Sequence, residues 1–183
     1  PLVGDVDQIP TFTGTQNHKT DLYYATWTSG DYLPDCYYGR FSAENIDQLL
    51  PQIEKSLMYE QYTMPDLSYL GKAVLIAGND DMWAPTHLNG QINYIFDNYI
   101  NTTSTTHNYT TVYKHLYDCS GEAETIRQEI GDGCGWTNYT AHGSGYGWNE
   151  PAFTCDHIPN MNNADKYGFM IGNCCLSCTF GDP

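Results

Sequence analysis

Basic residues are scarce in this chain. Lys and Arg number 7 against 22 Asp and Glu, for a net charge of −15. A protein so short of cations cannot neutralise a run of phosphates, which excludes nucleic acid as a partner. Apolar runs long enough to span a bilayer are missing too, and no stretch reads as a transmembrane segment, a signal peptide or a low-complexity tail. What remains is a chain of 183 residues, long enough to bury a sizeable core. Its acidity keeps it soluble and would attract basic peptides.

Cysteines number 7, an odd count that leaves at least one thiol unpaired if the rest form disulfides. Cys36, Cys119, Cys134 and Cys155 are scattered through expected loops and would pair in an oxidising compartment. Cys175-Leu-Ser-Cys178 is a C-x-x-C. Nothing else in the chain resembles a thioredoxin, and no second pair of ligands has the spacing that zinc needs.

Two segments carry the chemistry, Asn138-Tyr-Thr-Ala-His-Gly-Ser144 and Tyr167-Gly-Phe-Met-Ile-Gly-Asn-Cys-Cys175. Each reads as a buried strand spilling into a loop, the first ending in His142-Gly143 and the second in a cysteine. Neighbouring parallel strands deliver their terminal side chains to one sheet edge, where open α/β sheets do their chemistry. An imidazole set beside a thiol there can take its proton, and the thiolate is a nucleophile at neutral pH. Gly143 allows close backbone approach, and its N–H is available to an oxyanion. Adjacent strand residues face opposite ways, so only one of Cys174 and Cys175 can meet His142.

The rest of the chain supports an α/β reading. A loop over Thr11 to Thr20 and a short extended segment from Asp21 to Trp27 precede an amphipathic helix. Ile46, Leu49, Leu50, Ile53 and Leu57 mark that helix, with Asn45 and Gln48 as a capping pair. Pro51 predicts a kink, or a helix that begins there. A buried strand, Ala73-Val-Leu-Ile-Ala77, ends in Gly78-Asn79-Asp80-Asp81. A helix spans about Asn89 to Tyr99, Asn101 to Thr111 reads as a surface loop, and Val112 to Tyr117 is a strand. Ser120 caps a helix that ends at Ile130, and a glycine-rich connection follows His142. Alternating strands and helices predict a parallel sheet. Asp80 and Asp81 are equal candidates, by spacing, for a carboxylate that orients His142. Asp31, the Leu33 carbonyl and Asp35, in Ser29-Gly-Asp-Tyr-Leu-Pro-Asp35, could wrap a hard cation or form a solvated acidic turn.

His142-Gly143-Ser144 with Trp148, Asn138-Tyr-Thr and Ile171-Gly-Asn-Cys-Cys175 resemble the catalytic domain of the gingipains. So do Asp21-Leu-Tyr-Tyr24, Gly30-Asp-Tyr-Leu-Pro34, Gly39-Arg-Phe-Ser42, Leu57-Met-Tyr-Glu60, Met64-Pro-Asp66 and Val74-Leu-Ile-Ala-Gly78. These run in order over almost the whole chain and are closer to the lysine-specific than to the arginine-specific enzyme. The resemblance implies a caspase-like parallel sheet flanked by helices, incomplete in this chain. It also implies a secreted, extracellular or cell-surface cysteine endopeptidase acting on protein or peptide substrates, and a longer chain of which this is a piece. Residues 1–66 would end a first caspase-like subdomain, and 67–183 would begin the catalytic one.

Residue by residue, the resemblance makes Cys175 the nucleophile, because the His142-to-Cys175 interval matches the family's. It makes His142 the base, Asp80 its orienting acid, and the N–H groups of Gly143 and Cys175 the oxyanion hole. Thr140 and Asn173 match positions lining the lysine-specific pocket, and Gln91 falls near the arginine-specific enzyme's acidic residue without supplying charge. A calcium site would draw on Asp5, Asp31, Leu33 and Asp35, with Ser29 replacing an aspartate. Ser144-Gly145-Tyr146 departs from the family's usual pocket rim. A non-catalytic caspase-like module for adhesion or assembly is the alternative these departures permit.

Overall fold

A computed structural model describes residues 9–101, 111–117 and 123–177. They fall into two compact units, one ending at Glu60 and the other Gln61–Ser177. Leu2-Val3-Gly4, which reads as the end of a strand, Asp5, the loop tip around Asn108, Cys119, the Ser120 cap and Cys178 lie outside the described residues.

In the first unit, the expected Thr11–Thr20 loop is a small antiparallel hairpin, β1 (Phe12–Thr13) with β2 (Lys19–Thr20). The expected extended segment after it is a 3-10 turn, Leu22–Tyr24. Its sequence is polar enough at both ends for the backbone to close locally: the Leu22 N–H donates to Thr20 Oγ1 at 3.1 Å. Arg40 holds this corner through a two-point pair with Asp21, at 2.6 and 2.8 Å, and a bond from Nη1 to the Ile9 carbonyl at 2.8 Å.

Helix α1 (Ile46–Gln61) runs through Pro51, so the helix does not begin at the proline. The Gln48 N–H donates to Asn45 Oδ1 at 3.0 Å, as a cap should. The return bond goes one residue further back, with the Glu44 N–H donating to Gln48 Oε1 at 2.9 Å. No α1 residue is fully buried, and Ile46, Leu50 and Leu57 are exposed.

The second unit is built on a four-stranded sheet in the order β4-β3-β5-β9, every neighbouring pair parallel. The strands are β3 (Lys72–Ala77), β4 (Thr111–His115), β5 (Trp136–Thr140) and β9 (Phe169–Asn173). Between β5 and β9 the glycine-rich connection forms a small antiparallel sheet of β6 (Gly143–Ser144), β7 (Gly147–Trp148) and β8 (Phe153–Thr154). Strand β3 is buried on both faces, which is what its unbroken apolar run requires. Val74 and Ile76 pack on one side with Ile126 and Ile130 of α3 (Ala123–Gly131) and with Tyr139, Trp148 and Phe153. Leu75 and Ala77 pack on the other with Ala84, Leu88 and Ile92 of a helical run whose α-helical part is α2 (Asn89–Ile95). Single π-type turns, Ala84–Leu88 and Phe96–Ile100, flank α2 and extend the helix beyond the expected start. The result is a mixed α/β fold with a parallel sheet flanked by helices.

Strand β9 differs from its expected burial. It is an edge strand among the described residues, and Phe169, Met170, Gly172 and Asn173 are exposed. Among the described residues it is paired on one side only, which leaves these residues uncovered. Cys134 lies in the expected loop, just before β5, but is buried there, its thiol 3.0 Å from Thr137 Oγ1. Cys36, Cys134, Cys155, Cys174 and Cys175 are all free thiols. Asn138-Tyr-Thr140 has the N-glycosylation pattern, but Asn138 is buried and donates to Thr140 Oγ1 at 3.2 Å, so the site is closed to glycosylation in the folded state. No helix among the described residues is long and apolar enough to cross a membrane.

Candidate active site

Parallel pairing sets the site. Thr140 lies opposite Asn173 at the end of the β5–β9 ladder, so both chains leave the sheet at the same edge and two residues later reach His142 and Cys175. Their closeness is visible in Gly143. A Cβ added there would lie 2.7 Å from Cys174 Sγ and 2.7 Å from the Cys175 carbonyl, too close for any side chain. Glycine is required because two backbones touch.

The same contact separates the two cysteines. The side-chain direction of Gly143 meets Cys174, so by alternation that of His142 points to the other side. Cys174 is half-buried against the core on the α3 side of the sheet, with its thiol 2.9 Å from Ser177 Oγ. Cys175 is exposed. Among the described residues no hydrogen bond joins its thiol to His142. Both side chains are exposed, and catalytic bonds commonly tighten only around substrate.

The carboxylate that spacing left open is now resolved. His142 Nε2 and Asp80 Oδ2 are 2.7 Å apart. Asp81 instead accepts the Tyr117 hydroxyl at 2.5 Å. Asp80 reaches the histidine because it is also the cap of the helical run after β3. Its Oδ1 accepts the N–H groups of Trp83 at 2.7 Å and Met82 at 2.9 Å, which leaves Oδ2 for the ring. The Trp83 N–H, then the His142 ring, hold its carboxyl below the usual carboxylate range, so it is ionised at neutral pH. An ionised acceptor requires Nε2 to carry the proton, and Nδ1 is then the lone pair available to a thiol.

Gly143 is also placed as an N–H donor. The Asn149 N–H donates to the His142 carbonyl at 3.2 Å and Gly143 pairs with Trp148 one step further along the β6–β7 hairpin. Ladder bonds alternate, so the Gly143 amide is turned away from β7.

The pattern of peptidase family C25 matches residues 1–183. The chain belongs to peptidase family C25. It is 42% identical over 183 residues to Lys-gingipain of Porphyromonas gingivalis, covering 100% of this chain and 10% of that protein. It therefore spans about a tenth of the length of this relative. A solved structure described as a protease superposes with a TM-score of 0.87 at 40% identity, over 98% of this chain and 38% of that one. A crystal structure of gingipain R, an Arg-specific cysteine proteinase, superposes with a TM-score of 0.80 at 26% identity, over 100% and 42%. The caspase-like, gingipain-type fold expected from the sequence is borne out.

The remaining expected site residues of this C25 chain divide. Asn173 is exposed at the tip of β9 and its amide donates to Gln91 Oε1 of α2 at 3.4 Å. Thr140 is buried, its hydroxyl engaged by Asn138. Asp31 accepts the Leu33 N–H at 3.1 Å, and Asp35 accepts the Trp27 N–H at 2.6 Å. Each carboxylate thus spends one oxygen on its own loop and keeps another. Two carboxylates and a carbonyl are an all-oxygen set whose chemistry fits calcium. Asp5, the fourth expected ligand, lies outside the described residues.

The sequence reading missed Tyr139. It is fully buried and stacks on Trp148 with centroids 4.2 Å apart, and its hydroxyl donates to the His142 carbonyl at 2.7 Å. The available signal was a hydroxyl-bearing aromatic three residues before the histidine.

Asp80 has a pH consequence. A carboxyl held below its unfolded value, ~3.9 for Asp, contributes stability that is fully present above that value. The contribution is lost as pH falls through the folded value. Asp80→Asn is therefore expected to lower stability at pH 6 and to shrink the stability lost between pH 6 and pH 3. Urea titrations of the full-length protein and the variant at both pH values measure this, and equal acid sensitivity would count against the assignment.

Proposed function

We propose that this chain carries the catalytic centre of a cysteine endopeptidase. The observation that carries the reading is the His142–Asp80 bond of 2.7 Å at the strand edge where Gly143 packs against Cys174 and Cys175. In this reading His142 Nδ1 takes the proton of the Cys175 thiol, and the sulfur attacks the carbonyl carbon of the scissile peptide. The N–H groups of Gly143 and Cys175 take the charge that develops on the carbonyl oxygen. The protonated ring, oriented by Asp80, gives its proton to the leaving amine as the acyl-sulfur bond is completed. Water, deprotonated by the same ring, then releases the acid and restores the thiol. Residues 1–66 read as the end of a preceding caspase-like subdomain and 67–183 as the first part of the catalytic one. The remainder of a longer chain is the nearest partner, and the acidic composition suits secretion to the cell surface or beyond.

Cleavage after lysine is the preference favoured. Support comes from the 42% identity to Lys-gingipain and from Gln91, a neutral amide that cannot act as a counter-ion for arginine. A mass-tagged lysyl chloromethylketone should alkylate Cys175 in the full-length protein and leave the Cys175→Ala variant unlabelled. Labelling at Cys174, or none with intact folding, would overturn the reading in favour of a non-catalytic module.

Calcium, if held by Asp31, the Leu33 carbonyl, Asp35 and Asp5, would brace the loop of the first unit and take no part in bond making. Chelation should then lower the melting temperature of the full-length protein, and Asp31→Asn should abolish that response. A melting temperature indifferent to chelator would remove calcium from the account.

A further inference from the structure

Both partners of the His142–Asp80 pair are connected to one backbone group, the Glu150 carbonyl. The carbonyl of Glu150 accepts the Asn79 N–H at 3.2 Å, and the Tyr139 hydroxyl lies 3.3 Å from it while donating to the His142 carbonyl at 2.7 Å. Asn79 immediately precedes Asp80. The Asn79 side-chain amide also donates to the Glu150 carboxylate, so this loop is held at two points. Gly78 makes room for the arrangement. A Cβ on it would lie 2.3 Å from the Glu150 carbonyl and 2.2 Å from Ala141 Cβ.

The sequence puts these groups far apart, on β5, on the turn after β7 and on the turn after β3. Their convergence is a property of the fold. Tyr139 is fully buried and locked by its stack on Trp148, so its hydroxyl cannot swing to water. Burial pushes the pKa of this phenol far up, and it remains a donor throughout the working range. A phenylalanine would fill the same space and keep the stack, so the hydroxyl itself answers to something other than packing.

We infer that Tyr139 is a positioning residue: its hydroxyl and the Glu150 carbonyl form a brace that sets the His142 backbone against the Asn79–Asp80 turn, and so fixes the imidazole–carboxylate geometry. The brace touches neither substrate nor reacting atoms. It acts because a ring that is mostly exposed, as His142 is, takes its position from its own backbone. A displacement of about 1 Å at such a pair can cost about 100-fold in rate. The kinetic part of this inference rests on the peptidase reading; the geometric part does not.

The experiment is Tyr139→Phe in the full-length protein, with two readouts. The first is the low-field NMR resonance of the His142 ring N–H bonded to Asp80, assigned by its loss in Asp80→Asn. It should be sharp in the parent and broadened or lost in Tyr139→Phe. The second is kinetic: kcat should fall about 10- to 100-fold with KM little changed. Ile126→Val, in the same core but with no hydrogen bond to offer the brace, should lower thermal stability while leaving the resonance and kcat in place. An unchanged resonance in Tyr139→Phe, or the same loss in Ile126→Val, overturns the inference. If the parent cleaves nothing, the peptidase reading falls while the resonance still decides the brace. Should Tyr139→Phe not fold, hydrogen exchange of the Asn79 amide in the parent decides. Protection matching the β3 amides supports the brace, and exchange at the rate of an open loop contradicts it.

Discussion

The parallel pairing of β5 with β9 is the constraint on which the site depends. Five register pairs, from Trp136–Phe169 to Thr140–Asn173, align two strands that the chain separates by a whole small sheet and a 3-10 turn. A slip of β9 by one residue would turn Cys175 to the opposite face and bring Cys174 to the His142 side instead. The register is held at its far end by Trp136 stacked on Phe169 and at its near end by a glycine that cannot be anything larger. Chemistry at the tips is thus set by packing along the strands.

A second constraint acts at right angles to the first. Asp80 arrives from β3 on the other side of β5 and is committed to the N-terminus of the following helical run before it meets the histidine. One carboxylate serves both ends, with each oxygen assigned. That economy accounts for the choice of Asp80 over its neighbour: Asp81 is turned to Tyr117. The negative charge on Asp80 also decides which ring nitrogen faces the thiol, so helix capping and protonation state are linked through one side chain.

Much of this was legible in the residues. Strand β3 announces itself by an unbroken apolar run, α1 by its helical spacing, and the His-Gly and Cys-Cys pairs by their places after strands. Other features were hidden for physical reasons. Nothing local to Asp80 and Asp81 says which will cap and which will reach across the sheet, because both depend on where β5 ends. The β6–β8 sheet is glycine-rich and short, with no alternation to read, and the β1–β2 hairpin is too polar to signal a strand. Strand β9 looks buried because Phe169, Met170 and Ile171 are apolar, yet its edge position among the described residues leaves Phe169 and Met170 exposed. Tyr139 reads as one more core aromatic until its hydroxyl is seen to end on the His142 carbonyl.

The central claim is that His142 and Cys175 lie side by side on one side of the sheet edge, with Cys174 on the other. Replacing His142 by cysteine tests it without any reliance on activity, because a disulfide closes only when Cα atoms come within about 7 Å with converging Cβ vectors. In oxidised His142→Cys protein, peptide mapping should find residue 142 joined to Cys175. A bridge to Cys174 instead, or no bridge in folded protein, would contradict the account.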